Sequence, residues 1–189
     1  STMVVIGRPL RQAGEAVVSP VLAVRFREAT TEADTRLSEA REELAAVSTF
    51  IRTALELRDL GAPRALIQRC LQAAREEVHH MVRQLGLSAR AGLAETCLGL
   101  IDPAPRVFTT RKEALCSLAL ESWVDGWHGE RQAVEVLRNM RDQEKEDGIA
   151  HIWNQIGDEE LSHARLSGDI VDWCVTEGGT SVRETLRAA

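Results

Sequence analysis

Two histidines in this chain each follow a glutamate by three residues, as Glu77 with His80 and Glu160 with His163. On a helix that spacing puts both side chains on one face, one turn apart. Each pair comes after a stretch that carries a glutamate on an apolar stripe, Glu43 before the first pair and Glu130 before the second. Carboxylates with imidazoles suit divalent cations of the manganese and iron type. One Glu from each of two helices, with a Glu-x-x-His from each of two others, is a donor set for two metal ions inside a four-helix bundle. Glu43, Glu77, His80, Glu130, Glu160 and His163 are therefore expected to be metal ligands and, through the metals, the catalytic centre.

Each of these acids has charged neighbours, so the assignment rests on which face of each helix is apolar. Helical steps from Glu77 reach Leu66, Cys70, Ala73, Ala74, His80 and Met81, whereas those from Glu76 reach Arg69, Gln72, His79 and Arg83, a solvated stripe. From Glu160 they reach Ile149, Ile152, Trp153, Ile156, Gly157, His163 and Ala164, while Glu159 has Ser162 where a histidine would be needed. Glu43 shares its face with Ala46, Val47, Phe50, Ala54 and Leu57, and Glu42 lines up with Ser38, Ala45 and Thr49. Glu130 shares its face with Cys116, Ala119, Trp123, Trp127, Ala133, Val134 and Leu137. At about 3.6 residues per turn, Glu121 falls on the opposite side and is expected to face out. Asp125 and His128 form another acid and histidine pair, which points away from the stripe.

Four carboxylates among apolar side chains would each face desolvation of several kcal/mol, plus mutual repulsion. Two cations remove that conflict. The competing reading makes these acids surface charges on helices of another register.

The elements that must position the six residues follow from punctuation and period. A helix is predicted over 31–59, opened by Thr31 and Asp34 and ended by Gly61. Pro63 starts a second helix that runs to 85 and stops at Gly86. Residues 87–109, with Gly92, Gly99, Pro103 and Pro105, read as a long crossover with a short helix over 91–100. Thr110 and Glu113 form a capping box that opens a third helix to 140. A charged turn over 142–148 leads to a fourth helix over 149–175, closed by Gly178 and Gly179. The expectation is an all-α, ferritin-like four-helix bundle, two helical hairpins joined by a long crossover. Its parts are an N-terminal arm (1–30) without periodicity, the bundle (31–178) and a C-terminal tail (179–189) with at most a turn or two of helix.

Composition agrees. With 189 residues, 44% hydrophobic and 28% charged, the chain suits one globular domain. A formal charge of −6 argues against nucleic acid or an anionic membrane as a partner. No stretch reaches the roughly twenty apolar residues of a membrane helix, and the run Met3-Val4-Val5-Ile6 is broken at once by Gly7, Arg8 and Pro9, so no signal peptide is read. Ser1 and Thr2 read as a remnant ahead of a native start at Met3. Cys70, Cys97, Cys116 and Cys174 are scattered and read as free thiols, with Cys70, Cys116 and Cys174 as small buried hydrophobes. A cytoplasmic location is expected.

Over residues 37–176 the ligand order Glu, Glu-x-x-His, Glu, Glu-x-x-His resembles the ferritin-like superfamily of di-iron carboxylate proteins. The blocks Ala54-Leu55-Glu56-Leu57 leading to Gly61-Ala62-Pro63, and Asp158-Glu159-Glu160-Leu161-Ser162-His163-Ala164, are similar to those of a bacterial ferritin-like group. The resemblance implies the same six ligands with Glu77 and Glu160 bridging, two iron ions (manganese as the other choice) as cofactor and O2 as co-substrate. Trp127 and His128 are bulkier than the pattern expects on the substrate side. The first reading is an O2-activating non-haem di-iron oxidase or oxygenase acting on a small organic molecule, with an electron donor and a second copy of the chain as further partners. Phe50, Trp123, Trp127 and Trp153 are its pocket candidates, set against ordinary core packing. A ferroxidase or iron-handling protein is the second reading, and a non-enzymatic helical binding module the third. The chain has no tyrosine, which removes radical storage on a tyrosyl group.

Overall fold

The computed structural model describes residues 8–12 and 15–189; the apolar run at Met3-Val4-Val5-Ile6 and the break at Gly7, with Gly14, lie outside the described residues. Among the described residues the chain is mostly helical, with four long helical rods and two small two-stranded sheets. The first rod, α1 (Thr31–Asp59), is capped by Thr30, whose side chain accepts from the Ala33 amide, so the capping residue lies one position before the expected one. At its end Gly61 takes φ +74°, and the Gly61 and Ala62 amides donate to the Arg58 and Leu57 carbonyls, turning the chain back.

The second rod, α2 (Arg64–Ala91), packs along α1 and does not stop at Gly86. A glycine inside a helix costs about 0.5–1 kcal/mol. Buried Leu87 outweighs that, as does the Ser88 hydroxyl, which donates to the Ala33 carbonyl at 2.7 Å. Gly92, at φ +134°, is where the helix ends.

Two regions expected to lack strands contain them. In the N-terminal region β1 (Leu10–Gln12) pairs antiparallel with β2 (Glu15–Val17), and β3 (Val21–Phe26) pairs antiparallel with β4 (Leu93–Leu98), where the crossover helix was expected. The β3–β4 ribbon is held at its base by the Gly92 carbonyl, which accepts from the Arg27 amide at 2.8 Å. Past Gly99 the crossover runs along α1, fixed by the Ser48 hydroxyl on the Ile101 carbonyl and by the Arg106 guanidinium on both oxygens of Glu56.

Thr110 and Glu113 do form the capping box, opening α3 (Arg111–Glu121). The third rod then widens into a π-helical segment (Ser122–Gly129) before continuing as α4 (Glu130–Gln143). The fourth rod, α5 (Asp147–Arg187), starts earlier and ends later than expected. Gly179 (φ +57°) leaves the helical conformation, closing the main helix where expected, and a second helical stretch to Arg187 packs Val182 into the core. α5 packs along the third rod and also meets α2.

Two apolar clusters fill the interior. The larger joins Phe50, Leu57, Cys70, Leu118, Ile170 and Cys174; the smaller joins Leu87, Leu137, Trp153 and Ile156. On α2, the third rod and α5 the predicted ligands lie between residues of the first cluster and residues of the second, sealed from water at both ends.

Candidate metal centre

The six predicted ligands converge. Glu43 comes from α1, Glu77 and His80 from α2, Glu130 from the first residue of α4, and Glu160 and His163 from α5; none is more than 1% exposed. They form two groups of four, Glu43, Glu77, His80 and Glu160, and Glu77, Glu130, Glu160 and His163. Within each group one ligand atom per residue lies within 4.8 Å of the others, and Glu77 and Glu160 belong to both. Such buried clusters can hold a metal ion.

Both imidazoles turn the same way. His80 Nδ1 faces Glu77 Oε2 at 3.2 Å and Glu160 Oε1 at 3.4 Å, and His163 Nδ1 faces Glu77 Oε1 at 3.2 Å and Glu160 Oε2 at 3.3 Å. Each Nε2 points outward and donates to a carboxylate on the opposite rod: His80 to Glu159 Oε2 at 2.7 Å, and His163 to Glu76 Oε2 at 2.8 Å. This corrects the expectation that Glu76 belongs to a solvated stripe and gives Glu159, set aside for lack of a paired histidine, a place as well: both are half-buried supports of the site. An outward hydrogen bond of this kind fixes ring orientation and tautomer, leaving the inner nitrogen to a metal. The signal was an acid placed directly before each ligand glutamate, in both copies of the motif.

The protein alone leaves this cluster unsatisfied. Both oxygens of Glu43 and of Glu130 have no hydrogen-bond partner despite full burial. Buried polar atoms normally have one. Burial first, then the charge of Glu77, pushes the Glu43 carboxyl well above its ordinary range, and burial with the charge of Glu160 does the same to Glu130. Burial opposes ionisation of Glu160 too, yet hydrogen bonds from His163 and His80 hold it well below the usual carboxylate range, and they lower Glu77 against burial and the charge of Glu160. Burial also disfavours the imidazolium form, but hydrogen bonds to Glu159, Glu160 and Glu77 raise His80 well above its ordinary value, and bonds to Glu160, Glu76 and Glu77 do so for His163. Without cations, protons hold the site together. Unpartnered oxygens on Glu43 and Glu130, with Glu77 and Glu160 between two inward Nδ1 atoms, fit a pair of metal ions.

Of the four aromatic pocket candidates, one adjoins the centre. Phe50 is buried with its ring centroid 5.1 Å from that of His163, so it does adjoin the centre. Trp123 and Trp127 lie parallel to each other on the π-helical segment, 6.4 Å apart and half-buried, with Arg131 over the Trp127 ring. Trp153 belongs to the smaller apolar cluster beneath the Arg36 guanidinium. Trp123 and Trp127 are thus occupied with each other, and Trp153 is core packing.

Glu121 is also a correction, since it is buried and bonds to Arg52 at 2.6 Å and Arg106 at 2.7 Å. The π-helical segment holds more residues per turn than an α-helix, so counting by 3.6 across it gives the wrong face. Asp125 pairs with Arg11 at 2.6 and 2.7 Å, away from the six ligands as expected. All four cysteines are free; burial pushes the thiols of Cys70 and Cys174 up to about 11 and about 12, leaving both inert. Cys116 is only half-buried.

No helix among the described residues is long and apolar enough to cross a membrane. Compared with protein-family models, curated proteins and solved structures, the chain matches none.

Proposed function

We propose that this chain is a ferritin-like four-helix bundle that holds two iron ions, with manganese as the alternative, and uses them to reduce O2 while oxidising a small organic molecule. The observation that supports this reading is the sharing of Glu77 and Glu160 between two four-residue groups, each completed by one glutamate and one histidine. Glu77 and Glu160 would serve both ions, Glu43 and His80 one, and Glu130 and His163 the other.

When bound, a ferrous pair supplies the electrons for O2 reduction. The protein's part follows from its own geometry. Glu159 and Glu76 keep the imidazole protons on Nε2, which leaves each Nδ1 lone pair facing inward. Full burial of the ligands keeps bulk water away from the ions and strengthens every interaction inside the cluster.

One observation favours ferroxidation as a second reading. Two surface cavities, of about 560 and 360 Å³, are lined by none of the six ligands. Anaerobic titration with ferrous ion, then exposure to O2 with candidate substrates and an optical spectrum, tests both. Saturation at two ions per chain with substrate-dependent turnover is the expected result. Continued iron uptake beyond two would favour the second reading, and a folded chain that binds neither iron nor manganese would end both.

A further inference from the structure

One turn beyond His163 on α5 and one turn before the ligand end of the π-helical segment lies a second polar cluster that the metal reading does not use. Arg8 is fully buried. Its Nη2 donates to the Ser122 hydroxyl at 3.1 Å, while Nε and Nη1 have no hydrogen-bond partner among the described residues. Glu121, its nearest carboxylate, stands 3.6 Å away and is already bonded to Arg52 and Arg106. Arg106 in turn takes both oxygens of Glu56. Arg8, Arg52 and Arg106 thus share Glu56 and Glu121, and the guanidinium left without a bonded acid is the most deeply buried of the three.

Ser167 faces the same place, with a buried hydroxyl that also lacks a partner. A methyl group built on Gly126 would lie 2.2 Å from Ser167 Oγ and 3.7 Å from the Arg8 guanidinium carbon, so both groups converge on the backbone of residue 126, where only glycine fits. The Phe50 ring connects this cluster to the metal centre: Arg8 sits 5.6 Å from its centroid on one side and His163 5.1 Å away on another. Arg8 has only the Glu121 carboxylate, 3.6 Å away and shared with two other guanidiniums, and a buried cation so weakly compensated is costly unless a further anion meets it.

We infer that Arg8 and Ser167 bind the carboxylate of a monoanionic organic acid, which sets the substrate of the proposed oxidation beside the metals with Phe50 between its anchor and His163. This rests on the metal reading for the reaction, but binding of the carboxylate does not. A monoanion is chosen because one guanidinium lacks a bonded acid. Arg8 is held in place from outside, since Arg11 on β1 pairs with Asp125 and accepts at its carbonyl from Arg52 Nη1.

The test uses the full chain, with and without Mn(II), titrated calorimetrically with straight-chain monocarboxylates from acetate to decanoate and with the matching primary alcohols. Saturable binding of a carboxylate but not its alcohol is expected. It should weaken about ten- to a hundredfold in Arg8→Gln, the loss of a charged hydrogen-bond partner, with manganese stoichiometry unchanged. Ser167→Ala, which removes a hydroxyl that bonds to no protein group, should weaken it severalfold and guards against a folding defect in the arginine variant. No saturable carboxylate binding, or binding unaltered in both variants, overturns the inference. Failure to bind manganese together with Arg8-dependent carboxylate binding would overturn the metal reading and leave the anion site standing.

Discussion

His80 on α2 donates from Nε2 to Glu159 on α5 across 2.7 Å, and the contact is answered by His163 on α5 reaching Glu76 on α2 at 2.8 Å. Each ligand histidine is thus oriented by the rod that carries the other one, and the two rods cannot shift without turning both rings.

If these contacts set the donor atom, Glu159→Gln or Glu76→Gln should weaken metal binding about ten- to a hundredfold without changing how many ions bind. Competition against a metal indicator measures this, with Ser162→Ala as a neighbouring control. An unaltered affinity in both variants would reduce the outward contacts to surface ion pairs.

Proton release should accompany metal binding. Glu43, Glu130, His80 and His163 all have folded values above their ordinary ones, so the metal-free fold binds protons there that the unfolded chain releases. Their contribution to stability is complete at low pH and falls as pH rises from the ordinary carboxylate range through the histidine range towards the folded values. Glu77 and Glu160 act in the opposite sense, stabilising above the ordinary carboxylate range and failing as pH drops through their lowered values. Metal affinity should therefore increase from about pH 6 to about pH 8, and calorimetry in buffers of different ionisation enthalpy should detect released protons. Affinity independent of pH would mean the cluster is already deprotonated.

The acids of the site should not be equivalent in the metal-free protein. Burial and the charge of Glu77 push the Glu43 carboxyl up towards its neutral form, so Glu43→Gln should leave the melting temperature near the parent value while lowering metal stoichiometry. Glu160 is an anion facing both imidazoles, and Glu160→Gln should destabilise the metal-free fold by about 3–5 kcal/mol, the cost of breaking a buried ion pair. Thermal melts after chelation decide it, and the reverse ranking would falsify this charge assignment.

Gly92→Ala should be destabilising by about 1–3 kcal/mol. The position has φ +134°, and a Cβ there would meet the Glu28 carbonyl oxygen at 2.1 Å, where the β3–β4 ribbon joins the end of α2. Denaturant melts of the metal-loaded protein measure it; a neutral result would mean that the ribbon base relaxes freely.

Residue spacing carried the ligand assignment because it is a local property. Glu77 with His80 and Glu160 with His163 lie one helical turn apart wherever their helices sit, and the apolar stripes through Leu66, Ala73 and Ala74, or through Trp153, Ile156 and Ala164, point inward in any packed arrangement. The start of α1 near Thr30, the turn at Gly61 and the capping box at Thr110 were legible for the same reason.

The extent of the helices was less local. Gly86 lies inside α2 because burial of Leu87 outweighs the helix cost of glycine, whereas Gly179 does break the helix and the chain turns helical again to bury Val182. The β3–β4 ribbon joins segments far apart in the chain, and neither has a period that announces the other.

From the residue order alone came the inward placement of the six acid and imidazole side chains, since three-residue spacing on an amphipathic helix fixes a face before any rod meets another. Tertiary structure alone decided which acids orient the histidines, that Glu121 turns inward across a π-helical segment, and that Arg8 is buried beside Phe50. Those relations depend on the distance between different rods and on a change of helical pitch, and neither is encoded in the period of a single segment.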